Sequence, residues 1–264
     1  MKNASLKYLL AVLFIAAAIV SNAQSKFKKG EEFQREVMVR SNCVLQRGSQ
    51  KLDVSSSSIM VRSYNVTDAN IGGASIAIST TKLIDTIKAM DQSFIYSLAK
   101  AADPNSFIQV GLQNLGRAKL QVSVNNKGEI LETRPPVRLN DTLMSFSGIQ
   151  SEYFEAGTVL PFLANLPVGN NLKKGYSWTH KTAKEQTTYT IYTTTPRTTT
   201  ITYKSSVLGG NLNSRINGTM LIDMNTGLVL KHYKQIVSTG YEMVNGVVYT
   251  ATRRTAITET CSKK

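Results

Sequence analysis

The sequence predicts a mainly β protein with a few helices (α+β), in which a curved antiparallel sheet, or two related sheets, wraps helical segments in a half-barrel-like way. Three observations predict it. Runs of alternating apolar and polar residues recur along the chain, the two-residue period of strands with one buried face. Turn signals punctuate them at Gly48-Ser49, Asn126-Lys127-Gly128, Pro196-Arg197, Asn225-Thr226-Gly227 and Asn245-Gly246. After Trp178 the chain is rich in threonine, tyrosine and valine, residues that suit a pleated surface.

The N-terminus reads as an export signal. Lys2 and Lys7 precede an unbroken apolar or aromatic run from Tyr8 to Val20, and Ser21-Asn22-Ala23 places small residues before Gln24. Residues 1–23 are therefore expected to be removed between Ala23 and Gln24. The run is shorter than the ~20 residues a spanning helix needs, and the mature chain has no transmembrane segment by this criterion. No cysteine stands at the cleavage point, so the mature protein is expected to be periplasmic or extracellular and not lipid-anchored. Apolar content of 42% and charged content of 18% argue for a globular chain. Net charge is +14, and about +12 once Lys2 and Lys7 are gone, which suits anionic partners such as lipid head groups or polysaccharide. Nucleic acid is not expected for an exported chain.

Taken in order, Phe33–Arg47 alternates and predicts a strand ending at Gly48-Ser49, and Leu52–Val66 predicts a second strand whose serines, Ser55 to Ser58, suggest an exposed or edge portion. Ala74–Ser79 alternates again. Thr80–Lys100 fits two readings: an amphipathic helix through Leu83, Ile87, Met90, Phe94 and Leu98, which the periodicity favours, or a hairpin turning at Asp91-Gln92. Asp103-Pro104-Asn105 signals a helix start, with Phe107–Leu115 helical and Gly116 closing it. Lys119–Val124 and Glu129–Thr133 form a hairpin, and Pro135-Pro136 marks a boundary, giving an N-terminal half over 24–134 and a C-terminal half over 135–264, or one domain over 24–264. Thr142–Leu163 has a helical look at Leu143, Phe146, Ile149 and Phe154. Leu163–Trp178 then leads from helix to sheet. Thr187–Thr195 with Thr198–Ser206, Gly218–Met224 with Leu228–Ser238, and Glu242–Val244 with Val247–Glu259 predict three hairpins.

Lys29-Gly30-Glu31-Glu32-Phe33 and Lys174-Gly175-Tyr176-Ser177-Trp178 both set an aromatic three residues after glycine, and each precedes an Asn-x-Gly turn. Either the halves are related or the same turn chemistry occurs twice.

Two cysteines, Cys43 and Cys261, remain in the mature chain, and in an oxidising compartment they are candidates for a disulfide. No catalytic constellation is present: His180 and His232 lack ligand partners at metal spacing, there is no nucleophile elbow or phosphate-binding loop, and Asp223 reads as a turn-forming acid. No catalytic residue, metal ligand or cofactor is expected. Trp178 is either a core anchor or a ligand contact beside Tyr176, Tyr189 and Tyr203.

The pattern LPVGNNLKKGYSW, the threonine-rich hairpin and GTMLIDMNTGLV resemble uncharacterised secreted or lipid-anchored domains of Bacteroidota-type Gram-negative bacteria, as does KLIDTIKAMDQSFIYSLAKAADPNS. That resemblance implies no activity. At the level of architecture the chain also looks like periplasmic half-barrel lipoprotein carriers, which implies an apolar cavity enclosed by a curved sheet. The leading expectation is a non-enzymatic envelope protein binding an apolar or anionic ligand, such as a lipid, in a sheet concavity. The alternative is a structural or adaptor protein that meets an envelope partner through a Thr/Tyr-rich sheet face. A third reading, a hydrolase with dispersed acids, requires carboxylates that converge in three dimensions.

Overall fold

The computed structural model describes residues 27–135, 149, 154–167, 172–244 and 246–264. The expected signal segment with Ala23 and Gln24 lies outside the described residues, as do Leu143 and Phe146.

Twelve strands form one antiparallel sheet: β1 (Glu32–Arg47), β2 (Gln50–Asn70), β3 (Gly73–Ala89), β4 (Gln92–Ser97), β5 (Lys119–Asn125), β6 (Ile130–Arg134), β7 (Ser177–Lys181), β8 (Glu185–Thr194), β9 (Thr198–Leu208), β10 (Leu212–Asp223), β11 (Val229–Val244) and β12 (Val247–Lys263). Their order is β6-β5-β3-β2-β1-β12-β11-β10-β9-β8-β7, with β4 paired to β3. The sheet is open, with β6 and β7 as its ends. Strands β7 to β12 form an up-and-down meander, in the first half β4 and β5 both pair β3, and the two series join where β1 pairs β12, Phe33 opposite Lys263 through Gln46 opposite Thr250. Strand length falls away on both sides of this central pair, from 21 residues in β2 to 5 in β6 and from 17 in β12 to 5 in β7.

The taper runs outward in the first half and inward in the second, so the two halves do not repeat one another in chain order. What recurs is the turn. Gly30 and Gly175 have φ of 87° and 86°, and each donates its N–H to a neighbouring strand, to the Val66 and Ile191 carbonyls at 2.9 and 2.8 Å.

Strict alternation puts Phe33, Arg35, Val37, Val39, Ser41, Cys43 and Leu45 of β1 on the buried face, with Met38, Arg40 and Asn42 exposed on the other. The buried face is the concave one. The segment Phe154–Pro167 lies against it and ties distant strands together. Leu160 N–H donates to the Gly128 carbonyl in the β5–β6 turn at 2.9 Å, and two residues further on the Phe162 carbonyl accepts from Val229 N–H of β11 at 2.9 Å. On a flat sheet, β5 and β11 would be five spacings of about 4.8 Å apart, or ~24 Å. One short stretch of chain reaches both, so the sheet must bend around it. Gly128 is needed at this approach: its φ is 80°, and a β-carbon there would overlap the Leu163 side chain. Phe162 fills the closed end, stacking on Phe33 at 5.1 Å and meeting Tyr64 edge-on at 4.8 Å, within a cluster that reaches from Ile130 to Leu228.

Among the described residues there is one helix rather than a few: α1, Phe107–Arg117. Ser106 caps it, its side chain accepting from Gln109 N–H at 3.3 Å, and Gly116 lies inside it instead of ending it. Leu112 packs on Met60, Leu83 and Tyr96, so α1 covers the β2–β4 side of the concavity.

Three expectations are corrected. Thr80–Lys100 is strand, turn and strand, not helix: Met90 and Asp91 take φ of 50° and 62°, and Leu83, Asp85 and Ile87 alternate inward. The serine run is central, not edge, because β2 lies between β1 and β3; Ser56 and Ser58 are buried, and the Ser58 hydroxyl donates to Asp85 at 2.6 Å. The described end of the expected Thr142–Leu163 helix, from Phe154, is irregular chain carrying two single β-bridges, Val159 to Glu129 and Leu163 to Leu228.

Candidate functional site

The register of the sheet aligns one transverse row of side chains on the inner face: Trp178, Tyr189, Tyr203, Gly218, Lys234, Ile257, Val39, Ser58, Asp85 and Tyr96, each opposite the next on the adjoining strand. The aromatic end is continuous. Tyr176 stacks on Trp178 at 5.8 Å, Trp178 on Tyr189 at 5.1 Å, and Tyr189 meets Tyr203 at 5.6 Å. Trp178 is half-buried, packing against Ile201, Ile222 and Val229, and it stands with the three tyrosines.

Gly218 is the gap in the row. With no side chain there, the Tyr203 ring lies across β10, and its hydroxyl shares a hydrogen bond with His232 Nε2 on β11 at 2.8 Å. Any β-carbon at Gly218 would overlap that ring.

His232 leads into a buried ion cluster. It lies opposite Glu259, its Nδ1 3.6 Å from Oε2. Arg35 Nη2 donates to the same oxygen at 2.7 Å, and Lys234 Nζ is 3.2 Å from Oε1. Burial alone would raise the Glu259 carboxyl; the His232 hydrogen bond and the charges of Arg35 and Lys234 outweigh it and hold the group far below the usual carboxylate range. Burial, then the negative charge of Glu259, pushes the Tyr203 phenol up, so it stays a hydrogen-bonding hydroxyl. At the other end of the row, burial outweighs the Ser58 hydrogen bond and raises Asp85 to about 6. Its second oxygen has no hydrogen-bond partner among the described residues.

Among the described residues, Asp85 and Glu259 are the buried acids that the dispersed-hydrolase reading would draw on. Each has its own partners, Ser58 for Asp85 and Arg35, His232 and Lys234 for Glu259. They do not converge.

Cover on the inner face is uneven. Helix α1 and the Phe154–Pro167 segment lie over the first half and the closed end. On β8–β11, Tyr189, Tyr203, Ile216, Met220, Lys234 and Ile236 are only half-buried, whereas the outer neighbours Arg215, Asn217, Gln235 and Val237 are exposed. Hydroxyls line the rows beside them, with Thr187 donating to Ser205 at 2.8 Å and Ser41 bonded to Thr255 at 2.9 Å. This part of the concavity is lined by apolar and aromatic side chains around one basic cluster.

The disulfide is not formed. Cys43 and Cys261 are both free and buried. Cys43 lies opposite Arg253, eight positions along β12 from Cys261, or ~26 Å at strand rise, against less than 7 Å for a bridge. Burial raises both thiols, Cys261 to about 11. His180 is exposed on β7, and Asp223 accepts from the N–H groups of Asn225 and Thr226, as a turn-forming acid should. His232 is the residue that sequence reading passed over. The signal was present: counting thirteen residues outward from each side of Asn245-Gly246 sets His232 opposite Glu259.

Fold and site together define an open, single-sheet antiparallel β protein with a half-exposed inner face. No family model matches the chain, and no curated protein matches its sequence. Among solved structures it is similar to lipovitellin, in a structure of its lipid–protein interactions, with a TM-score of 0.53 and 11% identity over 89% of this chain and 25% of that one. The chain thus spans a quarter of the lipovitellin chain it matches, and the likeness is one of fold. An outer membrane channel from Pseudomonas putida F1 (TM-score 0.27, 5% identity, 90% of this chain and 97% of the channel) and Pseudomonas aeruginosa OpdQ (TM-score 0.22, 6% identity, 90% and 100%) are too distant to bear on it.

Proposed function

We propose that this protein is a non-enzymatic, exported binding protein that holds an apolar, lipid-like ligand against the inner face of the sheet. The observation that carries the reading is the half-exposed row on β8–β11. Ile216, Met220 and Ile236 point into the concavity while Phe162 and its neighbours close one end. An acyl chain laid there would remove about 25 cal/mol of unfavourable hydration for each Å² of apolar surface it covers. The fold shared with lipovitellin, whose structure concerns lipid–protein interactions, is consistent with this use.

The test uses neighbouring residues on opposite faces. Ile236→Asp sets a charge on the inner face, and Val237→Asp, one residue on, sets it on the outer face, where Val237 is 43% exposed. Mass spectrometry of organic extracts from the purified protein should find acyl lipid with the wild type and Val237→Asp and little with Ile236→Asp. Equal lipid in all three, or none in the wild type, overturns the reading.

The outer face favours a second reading. A trough of about 540 Å³ lined by Thr188, Thr190, Thr202, Asn217, Tyr233 and Gln235 lies there, with Tyr192 exposed two residues along β8 from Thr190. This is the Thr/Tyr-rich surface an adaptor would present, and it predicts one defined neighbour on cross-linking through Tyr233; no reproducible adduct removes it.

A further inference from the structure

Among the described residues, three side chains of the basic cluster on the inner face meet the Glu259 carboxylate. Arg35 takes Glu259 Oε2 at 2.7 Å with its side chain 7% exposed, and His232 faces the same oxygen. Lys234 is left with Oε1 at 3.2 Å, and its side chain is 23% exposed. An ammonium has three N–H donors, and Glu259 engages one of them. Lys234 therefore keeps N–H donors that Glu259 does not take, on a side chain that reaches the concavity.

Beyond this cluster its neighbours are mainly apolar or aromatic. Lys234 stands in the row beside Gly218 and Tyr203, with Ile236 two residues along β11 and Met220 opposite His232. Partly buried cations in such surroundings bind anions more strongly than exposed ones, because water screens them less. A ligand that fits both parts has an acyl chain to cover Ile216, Met220 and Ile236 and an acidic group to meet the ammonium.

We propose that the inner face selects amphiphiles with an acidic head, a carboxylate or phosphate on an acyl chain, and that Lys234 is the head-group ligand. The inference rests on the reading that the inner face holds an acyl chain. It adds the charge of the head and the residue that reads it. Tyr203, positioned by Gly218 and His232, closes the head-group end.

The experiment titrates oleate, oleyl phosphate and oleyl alcohol, which share one chain, into the mature protein, following the fluorescence of Trp178, the single tryptophan. Wild type should bind at least one acid about 10-fold or more tighter than the alcohol, as a charge-assisted contact implies, and the tighter acid identifies the head. Lys234→Met should abolish that preference, and Lys234→Arg should restore it. If wild type binds the alcohol as tightly as both acids, the head-group proposal falls while the acyl-chain reading stands. If none of the three binds, both fall. The wild-type comparison decides even where Lys234→Met loses its fold.

Discussion

Gly218→Ala tests whether the missing side chain in the inner row is what lets Tyr203 reach His232. The new β-carbon would overlap the Tyr203 ring. If the ring swings away, the 2.8 Å hydrogen bond to His232 goes, at ~1 kcal/mol, and so does the contact with Tyr189 at 5.6 Å, at ~1 kcal/mol. If it stays, overpacking costs about 1–3 kcal/mol. Against either stands a gain of ~0.4–1 kcal/mol because alanine has less freedom than glycine in the unfolded chain. The net is a loss of about 1–2 kcal/mol, read as a lower urea midpoint at unchanged slope. Tyr203→Phe, which removes the hydroxyl alone, should cost ~1 kcal/mol. In a Tyr203→Ala background the obstacle is gone, and Gly218→Ala should be neutral or slightly stabilising. An equal cost in both backgrounds would refute the reasoning.

Other expectations follow from the same geometry. Glu259 has a depressed folded-state pKa, so its contribution is present above its ordinary value of 4.5 and is lost as pH falls below it. Glu259→Gln should cost about 3–5 kcal/mol at pH 7 by removing the charge that Arg35 and Lys234 meet, and its urea-derived stability should converge on wild type in acid. Asp85 is shifted the other way: the folded protein holds its proton up to about pH 6, so stability falls as pH rises from its ordinary value of 3.8 and then levels off. Asp85→Asn should therefore be more stable than wild type at pH 8, by up to ~3 kcal/mol, and match it at pH 4. Phe162→Ala should cost about 3–5 kcal/mol by opening the closed end, measured by thermal or urea unfolding. Ellman's reagent should titrate two thiols in the unfolded mature chain without reductant and react slowly with the native one, since both cysteines are free and buried.

The hairpins were legible because their determinants are local. Asn245-Gly246 sets the β11–β12 register through fourteen pairs, and Gly48-Ser49 sets that of β1 and β2. Helix α1 was legible from the start signal at Asp103-Pro104-Asn105, although its cap is Ser106 and it runs past Gly116 to Arg117. Pairs formed far apart in sequence were not. Nothing between residues 33 and 263 announces that the first and last strands meet at the centre of the sheet, yet that pairing brings Arg35 to Glu259. The same omission made a disulfide plausible, since two cysteines on neighbouring strands are compatible with a bridge until the register separates them. Thr80–Lys100 misled because its apolar residues fit a period of 3.6 as well as 2, and the tie was broken by left-handed backbone at Met90 and Asp91. Ser58 looked like an exposed residue because its partner, Asp85, sits 27 positions away.

The central claim is that the concave face of the sheet is an acyl-chain site, and Trp178, at the end of the inner row, reports on it directly. Brominated stearate quenches tryptophan only at short range. Titrated into the mature protein, it should quench Trp178 saturably, with oleate competing, and Ile236→Asp should abolish the effect while Val237→Asp leaves it intact. Quenching that never saturates, or that survives Ile236→Asp undiminished, would contradict the account.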